Sequence, residues 1–400
     1  MHVLYILAII LSWLISLTWT RVTLTALYHL PHIPNLLDPR YNTPSEPVPD
    51  PTTPNITVIV PARNEAASIE TTLRSLLAQT IPIDIVAIDD RSTDATGAIM
   101  DRLAAEPLLP GKSLTILHVD HLPDGWMGKT HAMALAARQT ATPWLLFTDA
   151  DILFRPDTLE RALRFAHESN ADHVALALTL ILQSPGERLM TTVFGCFTLL
   201  SFRPWKIPDP AAKHDSVGVG GFNLLRSSVY RAIGGFEAFR LEVLEDLRLG
   251  FEVKRQGFRQ QVVFGRDLIR VHWASGALGM AHNLTKNFFA VFRFRPAALV
   301  AGVIVLSLLF FAPFAGLFAP WPIRSASLVA LAMIALAHSY SSRHFTGISI
   351  LYLFTLPIGA ALLLYALLRS MILTLHRGGV VWRGTFYPLH ELRRHAGPLR

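Results

Sequence analysis

Two carboxylates close a short apolar run: Pro143-Trp144-Leu145-Leu146-Phe147-Thr148 leads straight into Asp149-Ala150-Asp151. The run reads as a buried parallel strand, and open α/β sheets place ligands at the carboxyl ends of such strands. Side chains at i and i+2 of an extended segment point the same way. Asp149 and Asp151 can therefore face one hard cation, or a metal carried by a polyphosphate. Two like charges there are costly unless something positive sits between them. A turn or a helix N-cap is the plainer explanation of the same pair, since Asp is common in both.

Four further stretches carry candidate chemistry. Pro61-Ala62-Arg63-Asn64-Glu65 comes directly after the strand Thr57–Val60. Pro61 stops that strand because it lacks the ladder N–H. Asn64 and Glu65 can accept hydrogen bonds from a base or ribose, and Arg63 can meet a phosphate. Asp89-Asp90-Arg91-Ser92-Thr93-Asp94 ends the second strand in a parallel position; Ser92 or Asp94 can also cap the next helix. Gly125-Trp126-Met127-Gly128-Lys129 opens a helix where Lys129 could attract a diphosphate, although the spacing is not that of a P-loop. Glu245-Asp246 opens another helix. Acids in a first turn are ordinary helix stabilisers; the chemical alternative is that Asp246 is a general base at an acceptor hydroxyl. The paired Gly220-Gly221, in a stretch read as a strand, suggests that another group comes close.

The elements that must position these residues alternate. Apolar runs at Thr57–Val60, Ile83–Ile88, Leu114–Val119 and Pro143–Phe147 are separated by helical patterns over Ala67–Gln79, Thr93–Ala105 and Thr130–Arg138. This rhythm predicts an α/β fold with a mostly parallel sheet covered by helices on both faces. The ends of the chain differ. The sequence is 51% hydrophobic and only 16% charged, with apolar residues concentrated at the termini. Val3–Thr20 is long enough to cross a bilayer and reads as an uncleaved anchor. Arg21 after it places the rest of the N-terminal half in the cytoplasm. Ala297–Pro320 and Gly347–Leu375 are further candidate spans; Ser325–Ala337 is short and reads as re-entrant or interfacial, unless a longer stretch folds into two passes. Leu189–Phe202, flanked by Arg188, Arg203 and Lys206, is either a core helix or an interfacial one. The net charge of +7 comes without a basic run interleaved with aromatics, which argues against nucleic acid and for a membrane surface. Cys196 is the only cysteine, so no intrachain disulfide forms.

Taken in order, Val58–Glu65, Ile88–Asp94, Asp149-Ala150-Asp151, Gly234-Gly235-Phe236 and Glu245-Asp246 resemble the motifs of family 2 glycosyltransferases of the GT-A (Rossmann-like) type. The resemblance covers about residues 56 to 265. It implies that Pro61, Ala62, Arg63, Asn64, Glu65, Asp89, Asp90, Lys129 and Asp149 bind a nucleotide-sugar donor. It also implies that Asp149 and Asp151 contact Mg²⁺ or Mn²⁺, and that Asp246 is the catalytic base of one inverting displacement. An anchor before the domain and membrane segments after it are similar to ceramide glucosyltransferases and hopanoid-associated glycosyltransferases. The tail Val381-Trp382-Arg383-Gly384-Thr385-Phe386-Tyr387 also resembles theirs. The Gln-x-x-Arg-Trp motif of processive and ceramide-type members is absent from 266–286, which argues against polymer synthesis.

The expected layout begins with an anchor over 1–22, a stiff proline-rich linker over 23–55 and a catalytic domain over 56–273. Beyond these lie an interfacial amphipathic segment over 274–296, a membrane region over 297–375 and a basic cytoplasmic tail over 376–400. The expected activity moves a single sugar, most simply from a UDP-sugar, to a hydroxyl of a membrane lipid at the inner membrane's cytoplasmic face. The partners are then the donor, the lipid acceptor and the bilayer, with no nucleic acid. Two alternatives stand beside it. One is transfer to a polyprenyl phosphate, which is already ionised and needs little help from a base. The other is a catalytically silent membrane scaffold on the same fold.

Overall fold

The computed structural model describes residues 2–41 and 54–398. In chain order the elements are α1 (His2–His29), β1 (Ile56–Ala62), α2 (Ile69–Leu77), β2 (Ile83–Asp90), α3 (Thr96–Ala104), β3 (Lys112–Val119), α4 (Gly128–Arg138) and β4 (Trp144–Phe147). Next come β5 (Leu153–Phe154), α5 (Thr158–Glu168), β6 (His173–Leu176), β7 (Thr179–Leu180), α6 (Pro185–Ser201), β8 (Asn223–Arg226), α7 (Ser227–Ala232), α8 (Glu245–Arg255), β9 (Gln260–Val263) and β10 (Ile269–Val271). The C-terminal part holds α9 (Gly276–Val291), α10 (Pro296–Ala315), α11 (Trp321–Ser341), α12 (Leu356–Arg377), β11 (Gly379–Trp382), β12 (Thr385–Pro388) and α13 (Leu389–His395). The chain divides into two units. One comprises Met1–His32, Ile181–Arg203 and Trp273–Trp382; the other comprises Ile33–Leu180, Pro204–His272 and Arg383–Arg400.

The second unit is built on a seven-stranded sheet of order β3-β2-β1-β4-β8-β6-β9. Strands β3, β2, β1 and β4 are mutually parallel, β8 runs antiparallel to both β4 and β6, and β9 pairs parallel with β6. Both faces are covered, which is why the central strands read as continuous apolar runs. Period-2 alternation still sorts their side chains. Val58, Val60, Ile83, Ile85, Trp144 and Leu146 pack in one cluster, with α2, α3 and α5 residues such as Leu73, Leu103 and Phe165. Ile59, Val86, Ile88, Leu145 and Phe147 pack in the other, with Ala132, Met133 and Ala136 of α4.

Two local expectations change. Pro61 does not end β1: the ladder with β2 continues through Pro61↔Ile88 and Ala62↔Asp89. The pairing of β1 with β4 stops at Ile59↔Phe147, so Pro61 lies where that side of β1 is an edge and no N–H is required. The expected linker also starts later than its prolines suggest. Leu36 N donates to Phe264 O at 2.8 Å, Phe264 N donates to Pro34 O at 2.9 Å, and Arg161 Nη1 donates to Leu36 O at 2.8 Å. Leu36 and Tyr41 are buried. Apolar side chains between the prolines dock this stretch, while Pro44, Pro47, Pro49 and Pro51 lie outside the described residues.

The first unit is helical. Four stretches are long and apolar enough to cross a membrane: His2–His32, Pro296–Phe318, Trp321–Thr346 and Ile350–Arg377. The short run at Ser325–Ala337 is therefore the centre of a longer helix. Helix α6 is fixed by a capping box: Ser184 accepts from Glu187 N, and the Glu187 carboxylate accepts from Ser184 N. Glu187 also accepts from Gly276 N at 2.9 Å, so one buried carboxylate serves the starts of α6 and α9. Backbone donors at Gly276, Gln183 and Ser184 hold it ionised down to about pH 2 against the cost of its burial. The segment read as interfacial, α9, buries Met280, Leu284 and Phe288 in one cluster with Val193 of α6 and Leu363 of α12. Arg369 of α12 donates to Thr285 Oγ1 at 3.0 Å.

The chain leaves the second unit at His272 and rejoins it at Arg383. Three long apolar helices lie between; a stretch that starts and ends in the same unit is expected to cross a bilayer an even number of times. In a Cys196→Ser background, single cysteines at Glu168 and Arg393, both exposed, will react with an impermeant maleimide from the same side of sealed vesicles. Labelling from opposite sides contradicts this topology.

Candidate active site

The carboxyl ends of β1, β2 and β4 and the starts of α4 and α8 carry the site residues. Strand β4 ends at Phe147, and Thr148 ties the loop beyond it: its N–H donates to Ile59 O at 3.2 Å and its hydroxyl to Gly221 O at 2.8 Å. Ala150 and Asp151 then form a turn, not an extended segment. The i, i+2 argument for Asp149 and Asp151 therefore does not hold as stated. The two acids still sense one another: burial, then the charges of Asp149 and Glu65, push Asp151 up to about 6.

Lys129 is the cation the acidic pair required. Its Nζ lies 2.6 Å from Asp149 Oδ1 and 2.5 Å from Glu245 Oε1. Burial works against its charge, but Asp149, Glu245 and Asp246 outweigh it and hold the ammonium well above its ordinary range. Asp246 opens α8 with its Oδ1 accepting from Leu247 N at 2.8 Å. Burial, then the neighbouring Glu245 charge, pushes Asp246 up to about 7 despite Lys129. A methyl group on Gly220 would stand 2.9 Å from Asp149 Oδ2 and 3.6 Å from Asp246 Oδ2. Asp149 and Asp246, 97 positions apart, thus flank one point of backbone.

That backbone is held from below. A Cβ on Gly218 would meet Asp246 O at 1.7 Å, and one on Gly250 would meet Val217 O at 1.8 Å, so only glycine lets the 217–221 loop lie on α8. A buried polar network fixes the loop's other side. Asn223 Oδ1 accepts from Val219 N at 3.1 Å, and His173 Nε2 lies 3.2 Å from the same oxygen. Gln260 Nε2 stands 2.8 Å from His173 Nδ1 and donates to Val217 O at 3.0 Å. Burial drops His173 to about 4, so the ring is neutral. Since Asn223 Oδ1 can only accept, His173 carries its proton on Nε2.

The remaining predicted residues form a second cluster. Asp90 is buried and paired with Arg91 at 2.8 Å, with Arg63 Nη1 3.8 Å away. Burial and Arg91 lower Arg63, and Asp90 only partly offsets them. Asn64, at φ 55°, joins the first loop to the second: its Oδ1 accepts from Thr93 N at 2.8 Å. Glu65 N donates to Thr96 Oγ1 at 2.8 Å. Asp89 turns toward the fold, accepting from Ser92 N at 3.2 Å with His118 Nδ1 at 3.3 Å. Asp94 accepts from Thr96 N at 3.0 Å and so serves as the start signal of α3. Among the described residues no group of three or more His, Cys, Asp or Glu side chains is placed to hold a metal ion. Sequence reasoning passed over Arg91, the His173 network and Tyr387, whose hydroxyl meets the first N–H of α4.

A mostly parallel α/β sheet with acidic loops at its carboxyl edge defines the class, and comparison supplies the family. Residues 57–247 match the model of Glycosyl transferase family 2, and the chain carries a family 2 glycosyltransferase domain over that segment. It is similar to "4,4'-diaponeurosporenoate glycosyltransferase" of Staphylococcus aureus, with 23% identity over 235 residues, 58% of this chain and 60% of the relative. The version from a bovine strain is 25% identical over 198 residues, 49% of this chain and 50% of the relative. The matched region thus spans no more than about 60% of these relatives' length. Solved structures with a similar chain course include a mannosyltransferase from Pyrobaculum calidifontis in complex with GDP-Man and Mn²⁺ (19% identity, 91% of this chain and 99% of that chain, TM-score 0.44). Another is S. aureus TarS in complex with UDP (15% identity, 72% and 92%, TM-score 0.39).

The raised Asp246 has a consequence for stability. Unfolded, it ionises near 3.8; folded, near 7. Between those values the folded state holds a proton that the unfolded state lacks, so its contribution to stability falls as pH rises through that window. Asp246→Asn removes this loss. Thermal melts will show no advantage of the variant at pH 4 and a higher melting temperature of the variant at pH 8. An equal shift at both pH values contradicts it.

Proposed function

We propose that the chain transfers one sugar from a nucleotide-sugar donor to a membrane-lipid acceptor, with inversion, at the cytoplasmic face of the cell membrane. The observation that carries this reading is the Asp246 carboxylate: half-buried, raised to about 7, and facing Asp149 across Gly220 within a family 2 domain. A general base works best with its pKa near the working pH. Asp246 takes the proton from the attacking hydroxyl as the new glycosidic bond forms at the anomeric carbon and the bond to the nucleotide's phosphate oxygen breaks. The pair Arg63 and Arg91, which share the Asp90 carboxylate, suits the negative charge of a nucleoside diphosphate. Asn64, Glu65 and Asp89 lie on the same loops, and UDP is the simplest nucleotide to expect; Pro61 and Ala62 contribute the end of β1 that carries them.

Asp149 and Asp151 fit a divalent cation by their chemistry. Both are hard oxygen donors, and Asp151 is raised by burial first and then by the charges of Asp149 and Glu65, which a bound cation would offset. With only two protein carboxylates, Mg²⁺ or Mn²⁺ would share its coordination with donor phosphates and water. Such an ion supplies electrostatic stabilisation of the departing diphosphate. The apolar helices of the first unit, and relatives named as 4,4'-diaponeurosporenoate glycosyltransferases, support a lipid acceptor.

Detergent-solubilised protein will be incubated with labelled nucleotide sugars, Mn²⁺ and total lipid, and label in the organic phase measured. With a hydroxyl acceptor, Asp246→Asn will lower kcat by about 10²–10⁴. A loss under about tenfold points instead to an acceptor that is already ionised, a polyprenyl phosphate or a carboxylate. Absence of label with every donor contradicts lipid glycosylation.

A further inference from the structure

The C-terminal segment returns to the loops that carry the proposed donor contacts. Arg383 (φ 47°) and Gly384 (φ 78°) make a tight turn before β12. The Arg383 guanidinium donates to Asn64 O at 3.4 Å and pairs with the Glu65 carboxylate. Two residues on, Thr385 Oγ1 accepts from Arg63 Nη1 at 3.4 Å. Tyr387 is buried, 4% exposed, and its hydroxyl accepts from the N–H of Gly128 at 3.2 Å. Gly128 is the first residue of α4 and precedes Lys129. One short strand thus engages both the Arg63–Glu65 loop and the first turn of α4.

What it engages is not packing core. The Arg63 guanidinium has a buried Nε with no hydrogen-bond partner, and it shares a single carboxylate, Asp90, with Arg91. Gly128 is part of the same cluster: a Cβ there would lie 2.2 Å from Asp90 Oδ2. An arginine pair short of counter-charge keeps its orientation only if other groups hold it, and Thr385 is one of those groups. The Tyr387 hydroxyl satisfies a helix N–H that would otherwise be buried without a partner.

We infer that residues 383–387 are a positioning brace for the donor site: Arg383 and Tyr387 hold the Arg63–Glu65 loop and the first turn of α4 in the arrangement that binds a nucleoside diphosphate. The inference rests on reading these loops as the nucleotide site. None of the tail residues needs to touch the reacting atoms. Their loss therefore raises the Kd and the donor KM and leaves kcat nearly unchanged, unlike loss of Asp246.

The test uses full-length, detergent-solubilised protein with Tyr387→Phe, Arg383→Ala and Arg383→Lys. Affinities for UDP and GDP with Mn²⁺ are measured by equilibrium dialysis, and hydrogen exchange is followed over 61–66 and 125–130. Tyr387→Phe and Arg383→Ala will each weaken nucleotide binding about tenfold, the effect of one lost buried or charge-assisted hydrogen bond. Both will speed exchange in the two loops while β1–β4 stay protected. Arg383→Lys, which keeps the charge and one donor, will fall between Arg383→Ala and wild type. Unchanged affinity and loop exchange in the variants, with wild type binding nucleotide, overturn the brace alone. Failure of wild type to bind either nucleotide overturns the nucleotide reading and the brace with it.

Discussion

The site depends on one ammonium group. Asp149, Glu245 and Asp246 converge in a partly buried place, and like charges so close are costly to ionise together without a counter-ion. Lys129 supplies it, bridging Asp149 and Glu245. Burial first, and then the Glu245 charge that Lys129 only partly offsets, push Asp246 up to about 7. Asp151 is raised in the same order, by burial first and then by the charges of Asp149 and Glu65. Burial and crowding of acids around one ammonium group thus raise both Asp246 and Asp151.

The fold exists around this cluster in a specific way. Parallel strands β1, β2 and β4 deliver the Arg63–Glu65, Asp89–Asp94 and Asp149–Asp151 loops to one edge, because all three end there. Asp246 arrives by another route, at the head of a helix, and must be brought to Asp149 from the far side of the sheet order. The close approach of the 217–221 loop to α8 does this. It is allowed by Gly218, Gly220 and Gly250 and locked by the neutral His173 between Asn223 and Gln260. Buried polar networks of this kind are valuable only when fully satisfied.

Much of this was legible in the sequence. Apolar runs and helical periodicity marked the four parallel strands and the helices between them, and motif order marked the family. The paired glycines signalled a close approach, which proved to be that of Asp149 and Asp246 to Gly220. What escaped was long-range or locally ambiguous. The Lys129–Glu245 pair joins residues 116 positions apart, which no spacing rule links. Pro61 reads as a strand stop because the end of β4 beside it, where the missing N–H costs nothing, is a tertiary fact. Ser184-Pro185-Gly186-Glu187 carried a readable capping box before α6, hidden by the apolar run after it. Docking of Ile33–Tyr41 depended on apolar residues that the surrounding prolines obscured.

The central claim is that Asp246 is a half-buried carboxyl group whose proton leaves near neutral pH. Infrared difference spectroscopy of the solubilised protein, titrated from pH 4 to pH 9, reports this directly through the protonated carboxyl stretch, assigned by its absence in Asp246→Asn. The account predicts a band that is present at pH 5 and lost with a midpoint near 7. A midpoint at or below about 4, the value of a solvated aspartate, would contradict it.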